Sequence, residues 1–178
     1  MKCNSIQMSQ AWYDLREAFE VDDGSLPDLL AFRYERGEAV SEAFEYLRSI
    51  SQPISTESMF YSSRLEKEVS LNSVQNPASL VVTGEAESFC LMFYGTLADQ
   101  NKDLPELGVF VFPEELQFYY RPGPDWSEQS LVKLFQIMSA LTKINGFKMI
   151  KSLQPDTKYY SDFWSLFEKH YKRSQEAV

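Results

Sequence analysis

The chain has one histidine, His170, and two cysteines, Cys3 and Cys90. With so few soft ligands it contains no HExxH, no CxxC and no Cys/His pair, so no metal site is expected. Two cysteines cannot form the disulfide framework of a small secreted domain, and both read as reduced thiols. His170 stands among Lys169, Tyr171 and Lys172 with no catalytic partner nearby in sequence, and reads as a surface histidine. The seven glycines are dispersed. They form neither GxGxxG nor GxxxxGK[ST], and no GxSxG elbow occurs, so neither a phosphate-cradling loop nor a hydrolase nucleophile is expected. No catalytic residue and no cofactor is assigned. Long apolar runs are also missing: none approaches the roughly 18–20 residues that span a bilayer. The start, from Met1 to Met8, lacks the apolar segment of a secretory leader. The expectation is a cytoplasmic protein without membrane contact.

What the chain does have is apolar and aromatic material. Of its 178 residues, 44% are hydrophobic and 15% aromatic, enough for the ring-rich core of one domain. Its acidic charge is uneven. Residues 1–120 hold 8 Lys/Arg against 20 Asp/Glu, a net −12, whereas residues 121–178 hold 9 against 6, a net +3. An acidic body disfavours direct contact with nucleic-acid phosphates, which needs clustered Lys and Arg. It favours either a basic protein partner or simple solubility. Carboxylate pairs occur at Asp22-Asp23, Glu85/Glu87 and Glu114-Glu115. Such pairs could in principle support acid–base or Mg²⁺ chemistry. All three fall at expected turns, where acidic residues serve solvation and capping.

Periodicity gives the elements. Met8, Trp12, Leu15 and Phe19 share one helical face, so a helix is expected over about 6–20, ended by the Asp22–Pro27 segment. A strand follows from Leu29 to Glu35, then a helix over about 38–50 with Val40, Phe44 and Leu47 inward. Residues 51–77 are harder to read, apart from a short strand at 59–61. Leu80-Val81-Val82 reads as a strand, with Gly84–Glu87 as the hairpin turn into a second strand, Phe89–Tyr94. That second strand is apolar on both faces and is therefore expected to be central. Strands at 109–112 and 116–120 follow across a turn at Pro113-Glu114-Glu115. Asp125 is the expected N-cap of the next helix, with Glu128 completing a capping box and Leu131, Leu134, Phe135, Met138 and Leu141 buried. Asn145-Gly146 ends it, and a strand over 147–153 and a helix over about 157–172 complete the order. Consecutive central strands imply an α+β fold: a mainly antiparallel sheet with helices on one face, in one domain over 1–178. Within it, 1–27 form an N-terminal helix and linker, and 28–178 the sheet and packed helices.

Two features suit recognition. Glu38, Glu42 and Glu45 fall on one helical stripe, with Glu35 just before it, and Glu85 and Glu87 add charge at a turn. Such a stripe can steer a basic partner, or be an ordinary solvated face. The second feature is the stretch Phe118 to Trp126. On an alternating strand Tyr119 and Arg121 point away from Phe118 and Tyr120, and Asp125 and Trp126 open the next helix. Tyr, Trp and Arg are common interface anchors. The plainer reading is that Trp126 staples the helix to the sheet.

The segment Leu116-Gln117-Phe118-Tyr119-Tyr120-Arg121-Pro122-Gly123-Pro124-Asp125-Trp126-Ser127-Glu128, running into the helix Leu131–Leu141, resembles bacterial immunity proteins of polymorphic-toxin and type VI secretion systems. The resemblance covers about residues 107–150. It implies a cytoplasmic antidote that binds a cognate, basic toxin domain, such as a nuclease, and blocks its active site. No catalytic residue carries over. The partner-binding candidates are Glu35, Glu38, Glu42, Glu45, Glu85, Glu87, Tyr119, Arg121, Asp125 and Trp126. The alternative is a non-catalytic adaptor, secretion chaperone or phage accessory protein, which a homodimer with a large apolar interface would favour.

Overall fold

The computed structural model describes residues 3–53, 58–96, 104–153 and 158–176. Helix α1 (Cys3–Glu20) leads to strand β1 (Asp28–Tyr34), helix α2 (Gly37–Ile50) and the short strand β2 (Ser51–Pro53). A hairpin of β3 (Met59–Ser62) and β4 (Lys67–Ser70) precedes helix α3 (Pro77–Val82). Then come β5 (Phe89–Thr96), β6 (Leu107–Val111), β7 (Glu115–Tyr120), helix α4 (Glu128–Leu141), β8 (Phe147–Ser152) and helix α5 (Lys158–Glu176). Six strands form one sheet in the order β2-β5-β6-β7-β1-β8, every neighbouring pair antiparallel. The fold is α+β, as the element order implies. The expected division at residue 27 leaves the first helix tied to the rest: Leu15 and Phe19 lie in the common core.

Side chains alternate across a strand, so register assigns each to a face. Phe89, Leu91 and Phe93 of β5 face Val111, Val109 and Leu107 of β6, which in turn pair with Leu116, Phe118 and Tyr120 of β7. Leu30 and Phe32 of β1 continue the same face. All these residues are buried. The helix-to-sheet contacts land there too. Phe44 of α2 packs against Phe89 and Phe93, Phe19 of α1 stacks on Tyr120 at 4.6 Å, and Tyr34 Oη donates to the Leu141 carbonyl at the end of α4. The sheet therefore has one covered face.

Three local expectations are corrected. Leu80-Val81-Val82 is not a strand but the end of α3. Asn76 caps that helix by accepting from the Ser79 amide, and Pro77 occupies its first turn. Cap chemistry outweighs the strand preference of two adjacent valines. Gly84–Glu87 is accordingly no hairpin turn: Gly84, at φ +77°, ends α3, and the Glu85 and Ala86 amides return to the Leu80 carbonyl. Finally, the cap of α4 is Ser127, not Asp125. Its hydroxyl accepts from the Ser130 amide, because residues 123–126 close a turn in which the Trp126 amide donates to the Gly123 carbonyl.

Phe44 is fully buried between α2 and β5. Phe44→Ala removes a ring that little can replace, and should destabilise the fold by about 3–5 kcal/mol. A denaturant midpoint lowered at constant slope would show it; an unchanged midpoint would mean that this ring is not part of the core.

Candidate functional site

The same registers place Cys90, Met92, Gly108, Phe110, Gln117, Tyr119, Ala31, Arg33, Met149 and Lys151 on the opposite face. An antiparallel sheet with one wet face ordinarily turns polar residues outward. Here the outward positions of β5, β6 and β7 are largely apolar or aromatic. Phe110 is 39% exposed and Met149 45%. The rings form a platform: Phe110 lies 6.1 Å from Phe112 and 5.4 Å from Tyr119. Tyr119 lies flat because Gly108 faces it across the strand pair; a Cβ at Gly108 would fall 1.9 Å from the phenol ring. The Tyr119 hydroxyl meets the Cys90 thiol, closing the platform on the β5 side.

Burial, reinforced by the bond to Cys90, holds the Tyr119 phenol well above its ordinary range. Burial likewise pushes the Cys90 thiol up. Both shifts run opposite to those that activate a nucleophile or base. This pair stabilises a surface and is poorly suited to chemistry.

One end of the sheet is acidic. Topology brings there Glu35 after β1, Glu38 at the start of α2, Glu85 and Glu87 before β5, and Glu114 and Glu115 at the β6–β7 turn. The Tyr34 amide donates to the Glu114 carbonyl, which joins two of these segments directly. Arg33 lies across the rim, its Nη2 3.2 Å from Glu114 and its Nε 3.2 Å from Glu115. Arg64 pairs with Glu85 at 3.0 Å, attaching the β3–β4 hairpin to this end. Among the described residues, Glu35, Glu38, Glu42 and Glu87 have no basic group within ion-pair distance, and all four are exposed.

The expected candidates thus fall into separate places. Tyr119 points to the open face but is buried there, 6% exposed beneath its neighbours, and so supports the surface without being a contact residue; Glu35, Glu38, Glu85 and Glu87 lie at the acidic end. Glu42 and Glu45 run along α2 on the helix side of the sheet, and Glu45 is held by Arg48 at 3.0 Å. Arg121 is exposed and paired with Glu106 at 2.8 Å, and Asp125 is exposed in the turn before α4. Trp126 is 2% exposed: its indole donates to the Arg121 carbonyl and packs on Phe19 and Tyr120. It is the core staple of the plainer reading, not a surface anchor. Phe110, Phe112, Glu114 and Glu115 were not among the candidates. Their signal was the outward-facing Phe110 within an otherwise buried strand, which only register resolves.

A cavity of about 190 Å³ lies between α2, α3 and β5, walled by Phe44, Leu91 and Phe93. Arg48 at its edge already donates to Glu45 and to the Gln75 carbonyl. Among the described residues, no cluster of three or more His, Cys, Asp or Glu side chains could hold a metal ion, and no helix is long and apolar enough to cross a membrane. Comparison of the chain with protein-family models, curated proteins and solved structures finds no match.

Two outcomes are expected. Gly108→Ala should displace Tyr119 and expose the Cys90 thiol, so that alkylation of Cys90 by iodoacetamide speeds up while the helix signal in circular dichroism is kept; an unchanged rate would contradict the platform geometry. Separately, burial and then the nearby Asp23 carboxylate push the Tyr120 phenol up to about 12. Between about pH 10 and pH 12 the unfolded chain has lost this proton and the folded chain keeps it, so stability should fall as pH rises through that window and be unaffected below it. Tyr120→Phe should flatten that part of the curve, measured by urea denaturation at stepped pH.

Proposed function

We propose that this protein is a non-catalytic inhibitor that binds a cognate basic toxin domain and covers its active site, as immunity proteins of polymorphic-toxin and type VI secretion systems do. The observation that carries this reading is the exposed Phe110 stacked beside Phe112 on the outward sheet face, bordered by an acidic end. An exposed apolar patch with a charged rim is the usual form of a protein-binding surface. The acidic body favours a basic partner and would speed its capture, since complementary fields raise association rates. The raised Tyr119 and Cys90 protonation ranges fit a surface that binds and does not react. The resemblance over residues 107–150 points the same way. A stable inhibitory contact buries about 800 Å² per partner, more than the sheet face alone, so the partner would extend onto the acidic end.

The test is protection. Basic toxic domains encoded beside this chain's gene are expressed in a sensitive host with and without the protein. The expected result is restored growth with one of them and a one-to-one complex that survives about 0.5 M salt, where exposed charge pairs alone are screened. Failure of every such domain to be neutralised, with both proteins expressed and folded, overturns the proposal. A concentration-dependent homodimer closed through the same face would instead support the adaptor or chaperone alternative.

A further inference from the structure

We infer that the open sheet face reads arginine side chains of its partner, each guanidinium lying on the Phe110–Phe112 pair with its edge toward the Glu114–Glu115 turn. The inference rests on the proposed function and specifies how the partner is held. Three observations lead to it. The Phe110 and Phe112 rings stack 6.1 Å apart at 30°, Phe110 is 39% exposed, and Tyr119, buried over Gly108, supports them from beneath. The rim already binds a guanidinium: Arg33 lies on this face between Glu114 and Glu115, both at 3.2 Å. Glu114 is 73% exposed at its side chain, so its carboxylate keeps acceptor capacity for a second donor.

Arginine fits this surface better than lysine. Its planar guanidinium stacks on aromatic faces and can bond a carboxylate through two parallel N–H groups, whereas an ammonium is a strongly hydrated point charge. The opposite edge gives the face a direction. Lys151 pairs in register with Ala31 and so sits on the open face at β8, which steers a basic partner toward β5, β6 and β7.

A second copy is a poorer occupant. Six strands at about 4.8 Å spacing and roughly five residues of about 3.4 Å each present about 500 Å², short of the about 800 Å² that a stable partner surface covers. Two copies would also bring net charges of −9 together. A basic partner that extends past the face onto Glu35 and Glu87 gains the missing area and relieves the repulsion.

The probe is a peptide of alternating arginine and serine, with the lysine–serine peptide as control, titrated into the ¹⁵N-labelled protein at about 0.05 M salt. The expected shifts centre on Met92, Phe110, Phe112 and Tyr119. The arginine peptide should bind about three- to five-fold more tightly than the lysine peptide. Phe110→Ala should remove that preference, and Glu114→Gln should weaken the arginine peptide; both positions are exposed and both changes should leave the fold intact. Equal binding of the two peptides, shifts centred on Glu38 and Glu42 of α2, or no binding at millimolar peptide would overturn the inference. Those results leave the inhibitor reading open to its own growth test. A protein that protects cells while ignoring arginine uses another surface, and one that reads arginine but protects from nothing has another partner.

Discussion

Every part of this molecule depends on the burial of one face of an antiparallel sheet. The covered face is a lattice of rings, with Phe32 edge-on to Phe118 at 5.3 Å and Phe44 edge-on to Phe89 at 5.4 Å. Phe19 extends it into the helices, in contact with Tyr120, Trp126 and Phe163. Such edge and tilted pairs add to the burial of large apolar side chains. The helix contacts settle on that side, and the other face is only partly wet: Ala31, Gly108 and Tyr119 are buried among their neighbours, while Phe110 and Met149 are exposed. That asymmetry places Phe110 and, in part, Phe112 where a partner can reach them.

An exposed aromatic face has a cost, because it also invites self-association. The chain offsets this in ways that are visible in its residues. A net charge of −9 keeps copies apart. One edge of the sheet is the three-residue β2 ending in Pro53, and the other, β8, carries Lys148 and Lys151. Short edge strands, proline and lysine all discourage edge-to-edge pairing. The protection falls on the edges and on the overall field, and leaves the β5–β7 platform accessible.

Period-two and helical patterns were legible wherever one face was strictly apolar, as for α2, α4 and β7. They failed where local cap chemistry competed. Asn76-Pro77 starts a helix that two valines then disguise as a strand, and Ser127 takes the cap role that Asp125 matched by spacing. The run Phe89–Tyr94 reads as central because it is apolar on both faces; it pairs with β6 and with the short edge strand β2. Its second apolar face, Cys90 and Met92, was in fact the first sign of the open surface. Tyr119 could be singled out from alternation alone. The acidic end could not, since its carboxylates come from four separate segments joined only by strand order. Trp126 shows the limit of composition: a residue type frequent at interfaces is here satisfied by the Arg121 carbonyl inside the core.

The central claim is that one sheet face is buried and the other open, and hydroxyl-radical footprinting of the free protein tests it directly. The account predicts rapid oxidation of Phe110 and Met149, with Phe32, Phe93 and Phe118 protected as deeply as the core they form. Equal protection of Phe110 and Met149 at low protein concentration would mean that the open face is already covered, and would contradict the account.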